Sequence, residues 1–260
     1  MTKVKVTRED ELAIITIQNP PVNVLDKDVV IELLQIARNL STDNTVRAVI
    51  LTGEGTKAFM AGGNIKSFPD LIGKGHEVAY QESRLLQEPF EALMNLPQPT
   101  ICVLNGLALG GGCELALSLD FRIAEAHVEI GLPEVKLGLF PGAGGTQQLS
   151  RLIGISKAKE IIFTGEPLTA QQALEIGLVN TVVPAGEGLQ TARHFAKKMT
   201  RHSSQALKYA KLAIDHGRNV SLQDGLKIEA HYFGDVFQTE DVKEGVQAFI
   251  NKRTPKFQNR

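Results

Sequence analysis

Three stretches of the chain crowd β-branched and aliphatic residues together without helical spacing: "LAIITI" (12–17), "AVILTG" (48–53) and "TICVLNG" (100–106). Each is closed by Gly, Asn or Pro, and the pattern predicts buried strands. Between them apolar residues recur at helical spacing. "DVVIELLQIARNLSTD" (28–43) reads as a helix with Asp28 as its N-cap, and "EPFEALMNL" (88–96) as a second helix that stops at Pro97. The order strand, strand, helix repeats, which predicts an α/β fold with crossover connections. The strands are few for a doubly wound sheet of this length, so periodicity alone leaves the architecture open.

From about Ala192 the pattern changes to charged amphipathic helix, with "TARHFAKKMT", "SSQALKYAKLAIDHG" and "DGLKIEAHYFGDVF" following one another. This divides the chain into a core, 1–191, and a helical C-terminal region, 192–260. No low-complexity linker separates the two, so the tail is expected to pack on the core or on a neighbouring subunit.

With 43% apolar residues, 260 residues can bury a substantial core. The formal net charge of −1 provides no overall field for nucleic acid or an anionic membrane, so any phosphate must be gripped locally. Cys102 and Cys113 lie in apolar stretches without CxxC spacing. They read as small buried hydrophobes in a reducing compartment. The first dozen residues scatter charges where a signal peptide needs an apolar run, and no stretch approaches the roughly 18 apolar residues of a membrane span. A soluble, cytoplasmic protein is expected.

Several chemistries are excluded by inspection. GxSxG, HExxH and GxxxxGK[ST] are missing, and the six histidines are scattered without ligand spacing, so no metal site is expected. "GAGGTQ" (142–147) begins like a dinucleotide fingerprint, but Gln147 stands where the last glycine belongs. What remains are three glycine-rich turns: "FMAGGNIKSF" (59–68), "NGLALGGGCEL" (105–115) and "GLPEVKLGLFPGAGGTQQL" (131–149). The first two are each expected to follow a strand and open a helix. Backbone N–H groups there point outward with the positive end of the helix dipole behind them, and two such turns can converge on one oxygen. A single such turn most often serves only tight folding. Glu114, however, follows GGGC within an apolar helix, where a solvated dipole partner would need no apolar neighbours. Glu134, after Pro133, reads by itself as a surface charge.

These stretches resemble the enoyl-CoA hydratase/isomerase (crotonase) family. "AFMAGGNIKSF" is similar to its first oxyanion-hole loop, "NGLALGGGCELAL" to its second, with the first catalytic glutamate, and "LPEVKLGLFPGAGGTQQL" to the segment with the second glutamate and the water-holding turn. "FTGEPLTAQQALEIGLVNTVVP" (163–184) and "EGVQAFINKRTPKF" (244–257) resemble further family segments in the same order. The resemblance implies an α/β spiral of ββα repeats with a helical C-terminal trimerisation region, and trimers that pair into hexamers. It implies hydration of a 2-enoyl-CoA, with the backbone N–H groups of Gly63 and Gly111 as oxyanion hole and Glu114 and Glu134 as the catalytic carboxylates. Glu134 moves the proton of the water; Glu114 orients that water and shares the proton traffic. Gly142 matches a position whose backbone also touches the water.

On the same resemblance the coenzyme A moiety, part of the substrate rather than a separate cofactor, lies along Gly63, Asn64, Ile65 and Lys66. Phe249 and Lys252 match positions near the coenzyme and acyl pocket that come from a neighbouring region or subunit. Asn64 departs from the family, where Asp is common; both can cap a helix. The fold also serves double-bond isomerases, dehalogenases and hydrolases, and having both glutamates favours hydration. An RNA-binding or inactive structural homologue is the rival of another class, opposed by the balanced charge and the lack of a basic stripe interleaved with aromatics.

Overall fold

The computed structural model describes residues 2–259, except for the side chain of Lys66. Strand pairs and helices alternate as the pattern predicts. β1 (Val4–Glu9) and β2 (Leu12–Ile17) lead into α1 (Lys27–Ser41). β3 (Ala48–Gly53) and β4 (Ala58–Ala61) lead through a 3-10 turn (Ile65–Asp70) into α2 (His76–Met94), and β5 (Thr100–Leu104) and β6 (Leu107–Leu109) into α3 (Gly111–Leu117). β7 (Phe121–Glu125) and β8 (Glu129–Gly131) lead through a second 3-10 turn (Glu134–Leu137) into α4 (Gly145–Ile153) and α5 (Ile155–Thr164). The chain continues with β9 (Leu168–Thr169), α6 (Ala170–Glu175), β10 (Thr181–Val183), α7 (Gly188–Thr200), α8 (Ser204–Gly217), α9 (Leu222–Val236) and α10 (Glu240–Ile250).

Among the described residues the strands form a six-stranded sheet, β1-β2-β3-β5-β7-β10, and a four-stranded sheet, β4-β6-β8-β9. In the pairs β3–β4, β5–β6 and β7–β8 the first strand adds in parallel to the larger sheet and the second lies in the smaller one, where β4, β6 and β8 run parallel; β9 then pairs antiparallel with β8 and β10 parallel with β7. Each repeat therefore steps sideways by one strand in both sheets, which is a spiral of ββα units. Consecutive repeats bring their second-strand ends, and the glycine turns that follow them, side by side.

Side-chain alternation with period 2 splits the core. Ala13, Ile15, Val49, Leu51, Cys102 and Leu104 face the main core, whereas Leu12, Ile14, Ala48, Ile50, Ile101 and Val103 face Ala192 and Ala196 of α7. The boundary expected at 191/192 thus falls inside a helix that covers one face of the sheet. The charge pattern of "TARHFAKKMT" reports its solvent side only.

Local signals account for most other differences. α1 is capped by Asp26, whose carboxylate accepts from Val29 N, rather than by Asp28, which lies inside the helix. The predicted helix at 88–96 is the last part of α2, which begins twelve residues earlier and runs through Pro89. "TICVLNG" is strand only to Leu104, because Asn105 leaves the ladder and its side chain bonds the backbone of Gly53 and Gly55. Among the described residues no helix is long and apolar enough to cross a membrane.

Candidate active site

The three consecutive glycines of "LGGGC" meet different demands. Gly110 turns the chain from β6 into α3 at φ 54°, ψ −123°, a conformation suited to a residue without Cβ. A Cβ on Gly112 would sit 2.0 Å from the carbonyl oxygen of Met60, so α3 packs on β4 at backbone distance. Gly111 has neither constraint: the nearest atom to its Cβ position is the flexible end of Leu25, at 3.1 Å. What singles out Gly111 is its amide. As the first residue of α3 it has no intrahelical acceptor.

Leu25 joins this turn to the other. It donates to Gly62 O and accepts from Asn64 N, both at 3.0 Å, forming an isolated parallel bridge with Gly63. Its buried side chain reaches Gly111. Gly63 N lies 3.9 Å from the Cβ position of Gly111, so the turns after β4 and β6 are in contact. Neither Gly63 N–H nor Gly111 N–H has a partner among the hydrogen bonds of the described residues. The first turn opens a 3-10 turn rather than an α-helix, and Asn64, though at its N-cap, makes no side-chain capping bond there.

Glu114 lies inside α3 and is 5% exposed. Its Oε1 accepts from Ala143 N and Gly145 N, each at 2.8 Å, so the carboxylate sits at the N-terminus of α4. The expected dipole partner of α3 is thus bound instead at the start of the next helix, α4. Arg122 holds the far end of α3, donating to the carbonyls of Ala116 and Leu119. Burial, aided by the charge of Glu134, pushes the Glu114 carboxyl up to about 7, against the pull of the two amides. Glu134 is half-buried in the second 3-10 turn, its Oε1 3.0 Å from where a Cβ on Gly110 would be. Its Oε2 is buried and has no hydrogen-bond partner among the described residues. Burial raises its pKa too. The thiols of Cys102 and Cys113 are buried and pushed upward, which suits packing rather than nucleophilic roles.

The raised Glu114 pKa has a consequence for stability. Between the ordinary value of 4.5 and about 7 the folded protein keeps a proton that the unfolded chain has released. Stability therefore falls as pH rises through that window and stays lower above it. Glu114→Gln, uncharged throughout, is expected to melt higher than the parent above neutral pH and to lose this advantage below about pH 4.5. Thermal melts of both proteins across this range check it; a variant that gains nothing above neutrality contradicts it.

A cavity of about 270 Å³ adjoins Gly63 and Asn64, walled by Leu25, by Asp26 and Lys27 at the start of α1, and by Leu85 and Leu86 of α2. A larger one of about 390 Å³, between the 117–122 turn and α8, contains neither glutamate nor either glycine amide. Ile65 is exposed, and the Lys66 side chain lies outside the described residues. Gly142 stands in the turn before α4, its carbonyl taken by Ser83 and Gln87 of α2. Phe249 and Lys252 are not brought to the pair: they are exposed on α10 and the turn after it, and no described side-chain hydrogen bond or ion pair joins them to the glycine turns. Leu25, Ser83, Gln87 and the amides of Ala143 and Gly145 carry no signal in the sequence reading. Ser83 and Gln87 have the i, i+4 spacing of one helix face, but they precede the stretch whose periodicity predicts helix.

A spiral of ββα repeats whose two glycine turns meet, their amides without a described partner and two desolvated carboxylates close by, has the architecture of a crotonase-type fold. The chain belongs to the enoyl-CoA hydratase/isomerase family, whose model matches residues 7–260. It is 40% identical over 255 residues to the short-chain-enoyl-CoA hydratase of Clostridium acetobutylicum, spanning 97% of this chain and 96% of that one. It is 38% identical over 251 residues to the crotonyl-CoA hydratase of Syntrophomonas wolfei, spanning 96% and 95%. The crystal structure of an enoyl-CoA hydratase from Bacillus anthracis superposes with a TM-score of 0.93 at 39% identity, covering 99% of this chain and 100% of that one. The chain is an enzyme of this kind.

Proposed function

We propose that the enzyme adds water syn across the double bond of a 2-trans-enoyl-CoA to give the 3-hydroxyacyl-CoA. The observation that carries this is the pair Glu114 and Glu134, desolvated together beside the adjacent amides of Gly63 and Gly111. With the thioester oxygen between those amides, attack at C3 pushes the π electrons onto that oxygen, and two fixed donors stabilise the charge where it forms. One such donor is typically worth ~10²–10³ in rate. Glu134, whose Oε2 has no other partner, takes a proton from water as the new C–O bond forms. Glu114, clamped by two amides, holds the water, and a carboxyl proton completes the C2–H bond. General acid–base help of this kind contributes ~10²–10⁴. The carboxylates and amides supply every group the reaction needs, so no metal or separate cofactor enters it.

The coenzyme is proposed to lie along Gly63, Asn64, Ile65 and Lys66, next to the cavity that Gly63 lines. Purified protein given crotonyl-CoA without added cofactor is expected to consume the conjugated thioester and form the 3-hydroxyacyl product. No hydration of any 2-enoyl-CoA in a series of graded chain length overturns this, and formation of a 3-enoyl product instead favours an isomerase.

The chain is further proposed to be a homotrimer, or a hexamer of two trimers. α8 and α9 bury no residue, and α9 exposes Leu222, Leu226 and Phe233, with Phe237 exposed just past its end. An apolar face of this extent on a soluble helix calls for a cover. Phe249, 86% exposed, and Lys252 would then act from such an assembly. Light scattering is expected to give the mass of three or six chains; a single-chain mass contradicts it.

A further inference from the structure

The segment that presents Ala143 N and Gly145 N to Glu114 is itself held from outside. Residues 138–144 lie between the second 3-10 turn and α4, in no helix or strand. Gly142 O accepts from Ser83 Oγ at 2.7 Å and from Gln87 Nε2 at 2.8 Å, and Gln87 Nε2 also reaches Ser83 Oγ at 3.3 Å. Gly142 C=O and Ala143 N–H belong to one planar peptide, so two bonds that fix the carbonyl also fix the direction of the N–H. That N–H donates to Glu114 Oε1 at 2.8 Å. Donors on the carbonyl also polarise the peptide and strengthen its N–H as a donor, by about 10–30% per bond. Ser83 and Gln87 stand one turn apart on the same face of α2, and among the described hydrogen bonds neither is joined to Glu114 or Glu134.

We propose that Ser83 and Gln87 are positioning residues for Glu114, acting through the Gly142–Ala143 peptide. The proposal rests on the reading of Glu114 as a catalytic carboxylate. The amide donors favour its charged form, so weakening one of them raises its pKa and loosens its geometry. The ionisable groups packed around Glu114 are Glu134 and the Cys113 thiol, and substitutions on α2 leave both in place.

The test compares hydration kinetics of the parent, Ser83→Ala, Gln87→Met, the double variant, Ser83→Thr and Glu114→Gln. In the double variant kcat on crotonyl-CoA is expected to fall roughly 10- to 100-fold, the upper end being the cost of a misplacement of about 1 Å, with KM little changed. The acid limb of its kcat–pH profile is expected to move to higher pH. Ser83→Thr, which keeps a hydroxyl, is expected to behave as the parent. A merely structural role lowers the melting temperature without moving the acid limb. A folded double variant with the parent's kcat and acid limb overturns the proposal, as does a Ser83→Thr variant as impaired as Ser83→Ala. Should the double variant not fold, Ser83→Ala and Gln87→Met are read singly by the same criteria. A Glu114→Gln enzyme with normal kcat overturns the underlying reading and the proposal together; an inactive one beside an unaffected double variant overturns the proposal alone.

Discussion

Glu134→Gln is expected to lower kcat for crotonyl-CoA hydration by ~10²-fold or more, with KM little changed and the melting temperature close to that of the parent. The amide keeps the shape of the side chain but cannot take a proton from water. Glu134 suits this test because its side chain makes no hydrogen bond to a described side chain, and its turn is held by the backbone bonds Lys136 N to Pro133 O and Leu139 N to Glu134 O. The buried Oε2, without a partner, has no hydrogen bond to lose when it becomes an amide nitrogen. Steady-state kinetics alongside thermal melting separates the two roles. A folded Glu134→Gln enzyme with near-normal kcat would make this glutamate a structural group.

The second large effect is expected at the backbone of Gly111, where Pro removes the N–H and Ala keeps it. Gly111→Pro should lose ~10²–10³ in kcat beyond any loss in Gly111→Ala, the amount one oxyanion donor supplies. The structure makes both variants reasonable to fold. Gly111 is the first residue of α3, a position proline favours, and its N–H has no described partner to lose. Gly111→Ala is not silent, because its methyl group meets Leu25 Cδ2 at 3.1 Å and the leucine must yield slightly. The difference between the two variants therefore isolates the donor from the added bulk. Equal activity in two folded variants would show that this N–H does not stabilise the transition state.

The legible part of the fold came from local periodicity. Runs such as "AVILTG" mark β2, β3 and β5 correctly, because a strand covered on both faces is apolar at nearly every position. The repeating order of elements was visible for the same reason. α2 was read only from residue 88 because "HEVAYQESRLLQ" presents a half-buried face with too few apolar residues to mark a period. The charges of α7 place most of it in the tail by pattern, while the residues that dock it, Ala192 and Ala196, are small enough to carry little hydrophobic signal.

At the site, the sequence by itself determined which residues are unusual for their surroundings. Glu114 stands in an apolar helix after three glycines, and in "LGGGC" only glycine meets the turn at Gly110 and the 2.0 Å approach to Met60 at Gly112. Both are local mismatches between a residue type and its neighbours, and such mismatches survive in a one-dimensional string. Tertiary structure alone decided which of these features meet. Gly63 and Gly111 are 48 residues apart in the chain and become neighbours because each ββα repeat advances one strand in both sheets, with Leu25 from the first repeat bridging the two turns. Glu114 is held by Ala143 and Gly145, and the Gly142–Ala143 peptide in turn by Ser83 and Gln87, through hydrogen bonds between segments 29 to 59 residues apart. Hydrogen-bond partners at such separations leave no period in the sequence: their pairing is set by the path of the spiral and not by the residues beside them.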